Sequence, residues 1–504
     1  MTKGSAPPPP SADELHGTAP VEIGSVDISQ EMARSDFPIL GIGCSAGGLE
    51  ALDALLGGAP ADSGMAFVIV QHLDPEHVST LPELLQRSTG MQVIEAGEGV
   101  RIEPNHVYVI PPNKDLSLLH GVLHLLDPLE KRGLRLPIDF FLRTLADDCR
   151  ERAIGAILSG MGSDGMLGLG AIKEKGGLTL AQTPADARAS SMPDSAIQSG
   201  VVDIIAPADE MVSRILAYLH RRPLPADRTP ESAEQSALDQ IIVLLRNRSG
   251  NDLSLYKPST LHRRIERRLA LLQMDGIAAY VTYLRNNPQE LDLLFKEVLI
   301  GVTSFFRDPA VWAFLSDIAL PALLARLPDH YTLRAWVPAC STGEEAYSLA
   351  IVFKEVIERL KPDRHITLQI YATDLDGDAI DKARKACYPI NIAADLSPER
   401  LARRFIAEDG GYQVDRNIRE MVIFAPQNVI SDPPFTRNLL IYFGQALQKK
   451  VLPLFHYALK PGGILVLGSA ETTGEFANLF APLDKKTHVF KRIDQDTRSP
   501  WLSF

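Results

Sequence analysis

The sequence predicts an α/β protein in which two parallel-sheet domains are joined by a small all-helical domain. Short apolar runs alternate with helical patterns from Phe37 to about Leu219, and again from Leu333 onward. This alternation is typical of parallel sheets that are covered by helices on both faces. Between these regions, the residues from Ala237 to about Leu299 have helical periodicity and no strand signal, which predicts a helical unit.

Domain boundaries follow from changes in composition along the 504 residues, which allow two or three domains of ordinary size. The Pro-, Ser- and Ala-rich start offers little apolar surface to bury, so we expect a disordered tail there. The segment "RRPLPADRTPESAEQ" is polar and contains prolines, which indicates a linker. The predicted units are a tail (1–35), a first α/β domain (36–220), a linker (221–235), a helical domain (236–294), a second α/β domain (295–494) and a C-terminal tail (495–504).

The composition excludes several classes of function. A net charge of −12 argues against wholesale nucleic-acid binding. No run reaches the roughly 18 apolar residues that a membrane span needs, so we expect no membrane insertion. The N-terminus lacks the apolar core of a signal peptide. The four cysteines are scattered without a CxxC pair, which favours reduced thiols in a cytoplasmic protein over a disulfide framework.

Three polar side chains of the first domain are predicted at the carboxyl ends of strands, where open parallel sheets place their sites. Ser45 follows "PILGIGC" on a glycine-rich turn, His72 follows "FVIVQ", and Asp164 follows another apolar run. A serine needs a base to act as a nucleophile, and His72 with Asp164 would supply a base and its orienting acid, as in an acyl-transfer triad. The predicted strands are Ile39–Gly43, Ala66–Gln71, Val107–Ile110, Ile154–Ser159, Leu178–Ala181 and Val202–Ile205.

Other interpretations of these residues stay open on the pattern alone. "GIGCSAGG" could be a nucleotide-binding glycine loop, although that fingerprint requires an acidic residue where this chain has Gln71 and His72. Asp164 could cap the helix that follows it. The run "HLDPEH" lacks the ligand spacing of a standard metal site, so we expect no metal there.

The helical unit contains a basic segment, "YKPSTLHRRIERRLALL". Arg263, Arg264, Arg267 and Arg268 are spaced i, i+1, i+4 and i+5, which places them along one helix face. Such a face is either solvated or docks on an acidic surface, here a protein rather than nucleic acid because the whole chain is acidic.

The second α/β domain contains a strand, a small-residue turn and a helix in "RAWVPACSTGEEAYSLAI". Such a turn lets a cofactor approach the helix start, where Glu344 and Glu345 would repel a phosphate but tolerate a cationic or zwitterionic group. Asp374 closes the next strand, and a carboxylate there either binds ribose hydroxyls or caps a helix. S-Adenosylmethionine would satisfy these demands together. The predicted strands are "LRAWVPA", "ITLQIYATD", "MVIFAP", "GILVLGS" and "THVFKRI".

The first domain resembles the catalytic domain of the chemotaxis protein-glutamate methylesterases (CheB type). The resemblance rests on "GCSAGGLEAL", "VIVQHLDP", "LSGMGSDGMLGL" and "AQTPADARASSMPDSAIQSGVVD", which occur in order over nearly all of 37–220. It implies hydrolysis of glutamate γ-methyl esters on chemoreceptors. The implied residues are the nucleophile Ser45, the general base His72, its orienting acid Asp164, and Ala46 and Met161, whose backbone N–H groups would form the oxyanion hole. Many members carry an N-terminal receiver domain, which the 36 residues before Phe37 cannot form, so we expect no phosphorylation control in cis.

The rest of the chain resembles the chemotaxis receptor methyltransferases (CheR type). The basic helix looks like the family's receptor-docking helix, and "GVTSFFRDP", "ACSTGEEAYSLA", "ATDLD" and "RNLLIYF" occur in order across about 295–493. The resemblance implies S-adenosyl-L-methionine as the cofactor and positioning, rather than a strong base, as the source of catalysis. The implied cofactor contacts are Thr303, Arg307, Glu345, Asp374, Asn428, Val429, Arg437 and Asn438, with Tyr442 close to the methyl-transfer site.

The chain departs from the methyltransferase pattern at two places. Ala339 stands where the family commonly has glycine. In the family a strand precedes "RNLLIYF", whereas here "SDPPFT" joins it directly, without the apolar run of a buried parallel strand. We therefore expect either that nearby segments take the place of the missing strand in the sheet or that the activity of the methyltransferase half is weakened.

Together the two resemblances imply a bifunctional chemosensory adaptation enzyme that removes and adds methyl groups on receptor glutamates. The alternative is an active methylesterase fused to a degenerate methyltransferase domain that binds receptor or cofactor. The expected partners are methyl-accepting chemoreceptors, with sensor kinase and receiver proteins as further candidates.

Overall fold

The computed structural model describes residues 36–72, 80–128, 135–221, 232–251, 253–254, 256–299, 301–408, 410–428, 445–468 and 471–493. Both predicted tails, most of the predicted linker and the "SDPPFTRNLLIYF" junction lie outside these residues. The predicted fold class is confirmed, since two parallel sheets are separated along the chain by a purely helical region.

The first domain is built on a parallel sheet of seven strands. Its strands and those of a small accessory sheet are β1 (Ile39–Cys44), β2 (Ala66–Gln71), β3 (Gln92–Glu95), β4 (Val100–Arg101), β5 (His106–Val109), β6 (Asp115–Leu119), β7 (Val122–Leu126), β8 (Ala153–Ile157), β9 (Leu178–Gln182) and β10 (Ile204–Ala206). The sheet order is β10-β9-β8-β1-β2-β5-β3, and every neighbouring pair is parallel. All six predicted strands are present, and β1 and β8 are buried at every residue, as expected of a sheet covered on both faces.

Helices cover both faces of this sheet. They are α1 (Gly48–Gly57), α2 (Leu81–Leu85), α3 (Pro137–Cys149), α4 (Met166–Glu174), α5 (Ser191–Ser199) and α6 (Ala208–Arg221). One core contains apolar residues of α1 and α6, and the other contains residues of α3 and α4. The carboxyl ends of β1, β2 and β8 therefore lie side by side at one edge, because these strands are adjacent and parallel.

Sequence reasoning missed the accessory sheet, an antiparallel sheet in the order β4-β7-β6. A two-residue turn joins β6 to β7, and both turn residues have positive φ, 53° at His120 and 71° at Gly121. A type I′ hairpin turn requires positive φ at both positions, and glycine adopts positive φ readily. The glycine in "LLHGVL" was therefore a sequence signal for a hairpin. The two strands mix buried with partly buried residues, which is a weaker sequence signal than the continuous apolar runs of the parallel strands.

The helical region comprises α7 (Ser232–Ser249), α8 (Pro258–Leu271), α9 (Ile277–Asn286) and α10 (Pro288–Leu299). Its core also includes residues from near the C-terminus, among them Phe455, Phe480 and Phe490. Because these aromatic side chains are buried against the helices, the helical region and the last part of the chain share one hydrophobic core.

The second α/β domain is built around a parallel sheet. Its strands are β11 (Tyr331–Pro338), β12 (Ile366–Asp374), β13 (Cys387–Pro389), β14 (Phe405–Glu408), β15 (Gly411–Val414), β16 (Val422–Pro426), β17 (Ile464–Val466), β18 (Phe480–Asp484) and β19 (Val489–Arg492). The helices are α11 (Pro309–Phe314), α12 (Leu320–Leu324), α13 (Glu344–Leu360), α14 (Gly377–Lys385), α15 (Pro398–Arg404), α16 (Arg416–Arg419) and α17 (Gln445–Ala458). Among the described residues, β11, β12 and β16 form the parallel sheet.

All five strands predicted for this domain are present, but they do not all join one sheet. β17 and β19 pair antiparallel with each other, and β18 pairs antiparallel with β19. A second antiparallel sheet has the order β13-β15-β14. Apolar runs of three or four residues do not reveal the direction in which a strand is paired, so this division was not predictable from pattern alone.

A buried ion network joins the helical region to the first domain. Arg267 of α8 donates to the carbonyl oxygen of Gly177 at 2.6 Å and to the carboxylate of Asp203, and lies 3.1 Å from Glu297 of α10. Lys173 of α4 lies 3.0 Å from Asp203. Burial raises the pKa of Asp203, but the charges of Arg267 and Lys173 outweigh that effect and hold the pKa below its ordinary value.

The prediction of one basic docking face on α8 is wrong for two of its four arginines. Arg264 and Arg267 are only 1% and 5% exposed, and Arg264 lies 3.4 Å from Glu297, so neither is solvated nor available to a partner. Arg268 pairs with Glu290 through two nitrogen atoms. Arg263 is about half exposed and pairs with Glu151 of the first domain at 2.9 Å. The basic face therefore contacts the chain's own carboxylates.

Three further observations bear on the predicted class of protein. Within the described ranges, no helix combines the length and apolar character needed to cross a bilayer. The same residues contain no cluster of three or more His, Cys, Asp or Glu side chains that could hold a metal ion. All four cysteines are free, and three of them are buried.

We predict that Arg267→Ala lowers the free energy of unfolding by about 3 kcal/mol, because it removes one buried cation from a network in which Asp203 and Glu297 keep Lys173 and Arg264 as counter-ions. The matched control is Arg263→Ala on the same helix, which removes an exposed pair and should change stability by less than about 1 kcal/mol. Urea denaturation of the full chain measures both. Equal effects of the two substitutions would show that the buried network does not stabilise the domain contact.

Candidate active sites

The turn after β1 places Ser45 at the carboxyl edge of the first sheet. The Ser45 N–H donates to the carbonyl oxygen of Ser159, just after β8, at 3.0 Å. Gly47 has φ 73°, and a Cβ there would lie 2.7 Å from Cβ of Arg188 and 2.8 Å from Oγ of Ser159. Only glycine fits this backbone and this space, so the glycine-rich sequence is what allows the tight turn that presents the serine.

Ser45, His72 and Asp164 form one hydrogen-bonded line. His72 Nδ1 lies 3.3 Å from Ser45 Oγ, and His72 Nε2 lies 2.9 Å from Asp164 Oδ2. The His72 side chain is about one-third exposed, whereas Asp164 is buried. The ring is turned so that Nδ1 faces the serine, which is the reverse of the usual serine-protease arrangement. Each ring nitrogen still has one partner, Ser45 for Nδ1 and Asp164 for Nε2.

The Asp164 carboxylate is anchored at the N-terminus of α3. Its two oxygens accept hydrogen bonds from the N–H groups of Asp139 at 2.9 Å and Ile138 at 3.1 Å. Backbone donors at a helix N-terminus stabilise a negative charge. The alternative that Asp164 caps the following helix is wrong, because Gly165 is the N-cap residue of α4 and Asp164 bonds to a different helix.

The residues expected at the oxyanion hole lie on the loops beside Ser45. The N–H groups of Ala46 and Met161 donate to no acceptor within the described ranges. Gly160, which precedes Met161, is so close to the nucleophile that a Cβ there would lie 3.1 Å from Cβ of Ser45 and 2.1 Å from Sδ of Met192. Two unused backbone donors next to an accessible serine are what a tetrahedral oxyanion requires.

Asp139 is a site residue that sequence reasoning missed. It is buried, its N–H anchors Asp164, and its carboxylate accepts from the N–H of Gly168 at 2.6 Å. Burial and the nearby charge of Asp164 raise the pKa of Asp139 to about 7. The usable signal was "LPIDFF", where proline and aspartate in the first turn mark a helix start.

The second candidate site lies where β11 and β12 end. The N–H of Ser341, in the turn after β11, donates to Asp374 Oδ2 at 2.8 Å, and the N–H of Asp376 donates to Oδ1 at 2.9 Å. Ala339 and Ser341 have φ of 46° and 47°, so the small-residue turn uses left-handed backbone. Ala339 therefore holds a conformation that glycine adopts at lower cost.

Acidic side chains dominate the electrostatics of this turn. Burial raises the pKa of Asp374, and the charge of Asp376 adds to that effect. Burial also raises the pKa of Glu344 to about 7. Burial, together with the charges of Asp374, Glu344 and Glu345, raises the pKa of the Cys340 thiol. Such a negative site disfavours phosphates and fits a cationic group, so the donor set suits the sulfonium of S-adenosylmethionine.

The other predicted cofactor contacts are only partly assembled among the described residues. Glu345 lies in the first turn of α13 and is half-buried, and Thr303 is also half-buried. Arg307 pairs with Glu174 of the first domain at 2.5 Å. Asn428, just after β16, donates to Asn251 of the helical region at 2.6 Å. Four predicted residues lie outside the described ranges, namely Val429, Arg437, Asn438 and Tyr442.

Family models match three consecutive parts of the chain. Residues 40–215 match CheB methylesterase, residues 236–299 match the all-alpha domain of CheR methyltransferase, and residues 301–489 match the SAM binding domain of CheR methyltransferase. S-Adenosyl-L-methionine is therefore the cofactor of the second α/β domain.

Individual relatives agree with these matches. Chemotaxis protein methyltransferase 2 of Pseudomonas aeruginosa is 30% identical over 266 residues, which cover 50% of this chain and 88% of that protein. The chemotaxis protein methyltransferase of Salmonella typhimurium is 29% identical over 272 residues, which cover 51% of this chain and 90% of that protein. The CheB methylesterase catalytic domain of Thermotoga maritima is a solved structure with 29% identity, a TM-score of 0.34, and coverage of 36% of this chain and 98% of that one.

A longer relative matches most of the chain. It is a Rhodobacter capsulatus protein called an uncharacterized 104.1 kDa protein in the hypE 3' region, 36% identical over 443 residues. The match covers 82% of this chain and 46% of that protein, so this chain spans about half of the relative's length. The chain belongs to the chemotaxis protein methyltransferase family, and it carries a CheB methylesterase domain ahead of its CheR domains.

Proposed function

We propose that this chain is a bifunctional chemosensory adaptation enzyme. Its first domain hydrolyses glutamate methyl esters on chemoreceptors, and its remaining domains methylate receptor glutamates with S-adenosyl-L-methionine. The observation that carries the proposal is the line of Ser45, His72 and Asp164, with distances of 3.3 Å and 2.9 Å between partners, at the carboxyl edge of a parallel sheet. A nucleophile, a base and an orienting acid in this geometry support acyl transfer.

The esterase reaction uses Ser45, His72 and Asp164 in two steps. His72 Nδ1 takes the proton of Ser45 Oγ as the oxygen attacks the ester carbonyl, and the protonated ring then gives that proton to the departing methoxide. Methanol leaves, and the glutamyl group stays bound to Ser45. A water molecule, deprotonated by His72, then releases the free glutamate and restores the serine. Asp164, held by two N–H groups of α3, stabilises the imidazolium that forms in each step.

The methyltransferase reaction asks less of the protein. When bound, S-adenosyl-L-methionine supplies a methyl group on a positively charged sulfur. The Asp374 carboxylate would bind the ribose hydroxyls, and Glu344 and Glu345 would provide the negative surroundings that favour the cation. A receptor glutamate is ionised at neutral pH and can attack without a general base, so the chain only has to position it.

The partners and the compartment are parts of the same proposal. Methyl-accepting chemoreceptors are the proposed protein substrates of both domains, which would act on the same glutamates in opposite directions. Sensor kinase and receiver proteins stay candidate partners. Four free thiols fit a cytoplasmic location.

We predict that Ser45→Ala reduces methanol release from methylated receptor by about 10³-fold or more, because the nucleophile is lost. The matched control is Ser213→Ala on α6, whose hydroxyl donates to the carbonyl oxygen of Glu210 on the same helix, and it should release methanol at the wild-type rate. Gas chromatography of released methanol measures both. Equal release by wild type and Ser45→Ala would remove Ser45 from the mechanism.

We predict that Asp374→Asn weakens S-adenosylmethionine binding by about tenfold or more, because a charged acceptor for the ribose is lost. Asp381→Asn is the matched control, since Asp381 is exposed on α14 and pairs with Arg384. Isothermal titration calorimetry measures affinity, and transfer of labelled methyl to receptor measures activity. If the wild type binds S-adenosylmethionine but transfers no methyl group, the degenerate methyltransferase domain is favoured. If the wild type gives no binding heat, the proposal of an active methyltransferase is wrong.

We predict that S-adenosylmethionine binds about threefold or more tightly at pH 8 than at pH 6. Glu344, with a pKa raised by burial to about 7, is mostly neutral at pH 6 and mostly ionised at pH 8. A cation favours the ionised form, so the affinity rises with pH. Glu344→Gln should flatten the dependence, and titration calorimetry at both pH values tests this. An unchanged slope in the variant would contradict the assignment to Glu344.

A further inference from the structure

A residue of the methyltransferase domain reaches the back of the candidate esterase triad. Asn391 lies in a short 3-10 helix, Ile390–Asp395, and its side chain is fully buried. Its Nδ2 donates to the carbonyl oxygen of Ser163 at 2.6 Å and to Asp139 Oδ2 at 3.1 Å. Its Oδ1 accepts a hydrogen bond from the hydroxyl of Ser163. Asn391 thus makes three hydrogen bonds, all to residues more than 200 positions earlier in the chain.

Both partners of Asn391 are directly connected to Asp164. Ser163 is the residue before Asp164 in the chain. Asp139 donates its N–H to Asp164 Oδ1 at 2.9 Å, and Asp164 Oδ2 lies 2.9 Å from His72 Nε2. Asn391 therefore fixes the backbone that carries the acid and the side chain of the residue that anchors it.

The bonding pattern distinguishes Asn391 from an ordinary packing residue. A buried amide is stable only when its donors and acceptor are satisfied, and here the satisfying groups belong to another domain. Asp139 faces Asp164, the Gly168 N–H, Arg143 and Asn391. The Asn391 amide helps to stabilise the ionised carboxylate of Asp139 next to the charge of Asp164.

We propose that Asn391 is a positioning residue for the esterase reaction, supplied in cis by the methyltransferase domain. The esterase site is complete only when the second α/β domain is docked on α3 and on the loop that carries Asp164. This inference rests on the proposed esterase function. It assigns to the methyltransferase domain a role in the opposite reaction, separate from its own cofactor site.

The same contact provides a matched control. Asp395, at the end of the same 3-10 helix, pairs with Arg143 of α3 at 3.0 Å. This ion pair also joins the two domains, but among the described residues Asp395 makes no hydrogen bond to Ser163 or Asp139. Asp395→Asn therefore weakens docking without removing the bonds that hold the acid.

We predict that Asn391→Ala in the full chain lowers kcat for methanol release by about 10- to 100-fold, because the acid is no longer held within a fraction of an ångström. KM for methylated receptor should stay within twofold, since Asn391 does not contact substrate. Asp395→Asn should leave kcat within twofold of wild type. Asn391→Asp keeps the shape but replaces the donor with a charge facing Asp139, so it should lower kcat at least as much. Circular dichroism and urea denaturation identify any variant that fails to fold.

Two results would overturn the proposal. One is a wild-type kcat in both Asn391 variants. The other is an equal loss of kcat in Asn391→Ala and Asp395→Asn, which would assign the effect to domain docking alone. If Asn391→Ala does not fold, the same comparison is made with Asn391→Asp, which preserves volume. Ser45-dependent release by the wild type is measured in parallel, and its absence would reject the esterase function rather than the role of Asn391.

Discussion

The buried guanidinium of Arg267 is the interaction on which the arrangement of the three domains depends. It lies on α8, yet its partners are Gly177 and Asp203 of the first domain and Glu297 of α10. Buried carboxylates carry a large desolvation cost, which Arg267 offsets together with Lys173 beside Asp203 and Arg264 beside Glu297, so this network stabilises the helical region against the first domain. The helical region in turn shares its hydrophobic core with Phe455, Phe480 and Phe490 of the C-terminal part. The helical region therefore contacts both the first domain and the C-terminal part of the chain.

The parts of the fold that sequence predicts are those whose signal is local. Buried parallel strands read as continuous apolar runs, so Ser45 and His72, which follow such runs directly, and Asp164, which lies in the loop after another, could be placed at strand ends. The parallel adjacency of β1, β2 and β8 then brings the three side chains together. Pattern and geometry agree here because the site is built from the ends of neighbouring strands.

The parts that sequence could not predict depend on contacts between distant segments. The spacing of the α8 arginines predicts that they share one helix face, but spacing contains no information about which surface each of them meets. Arg264 and Arg267 proved to be buried against Glu297 and Asp203, so neither a solvated nor a receptor-docking face describes them. Asn391 is a similar case, since nothing in "YPINIAAD" indicates that its amide completes a hydrogen-bonded group 228 positions away.

The two candidate sites meet along one interface. Helix α4 begins two residues after Asp164 and ends at Glu174, which pairs with Arg307 of the methyltransferase domain. The family resemblance predicts that Arg307 contacts the cofactor, and the guanidinium pairs here with Glu174. A surface ion pair of this kind contributes at most about 1 kcal/mol, which cofactor binding can readily outweigh. Contacts with the methyltransferase domain therefore lie at both ends of α4, because Ser163, just before its start, bonds to Asn391 and Glu174, at its end, pairs with Arg307.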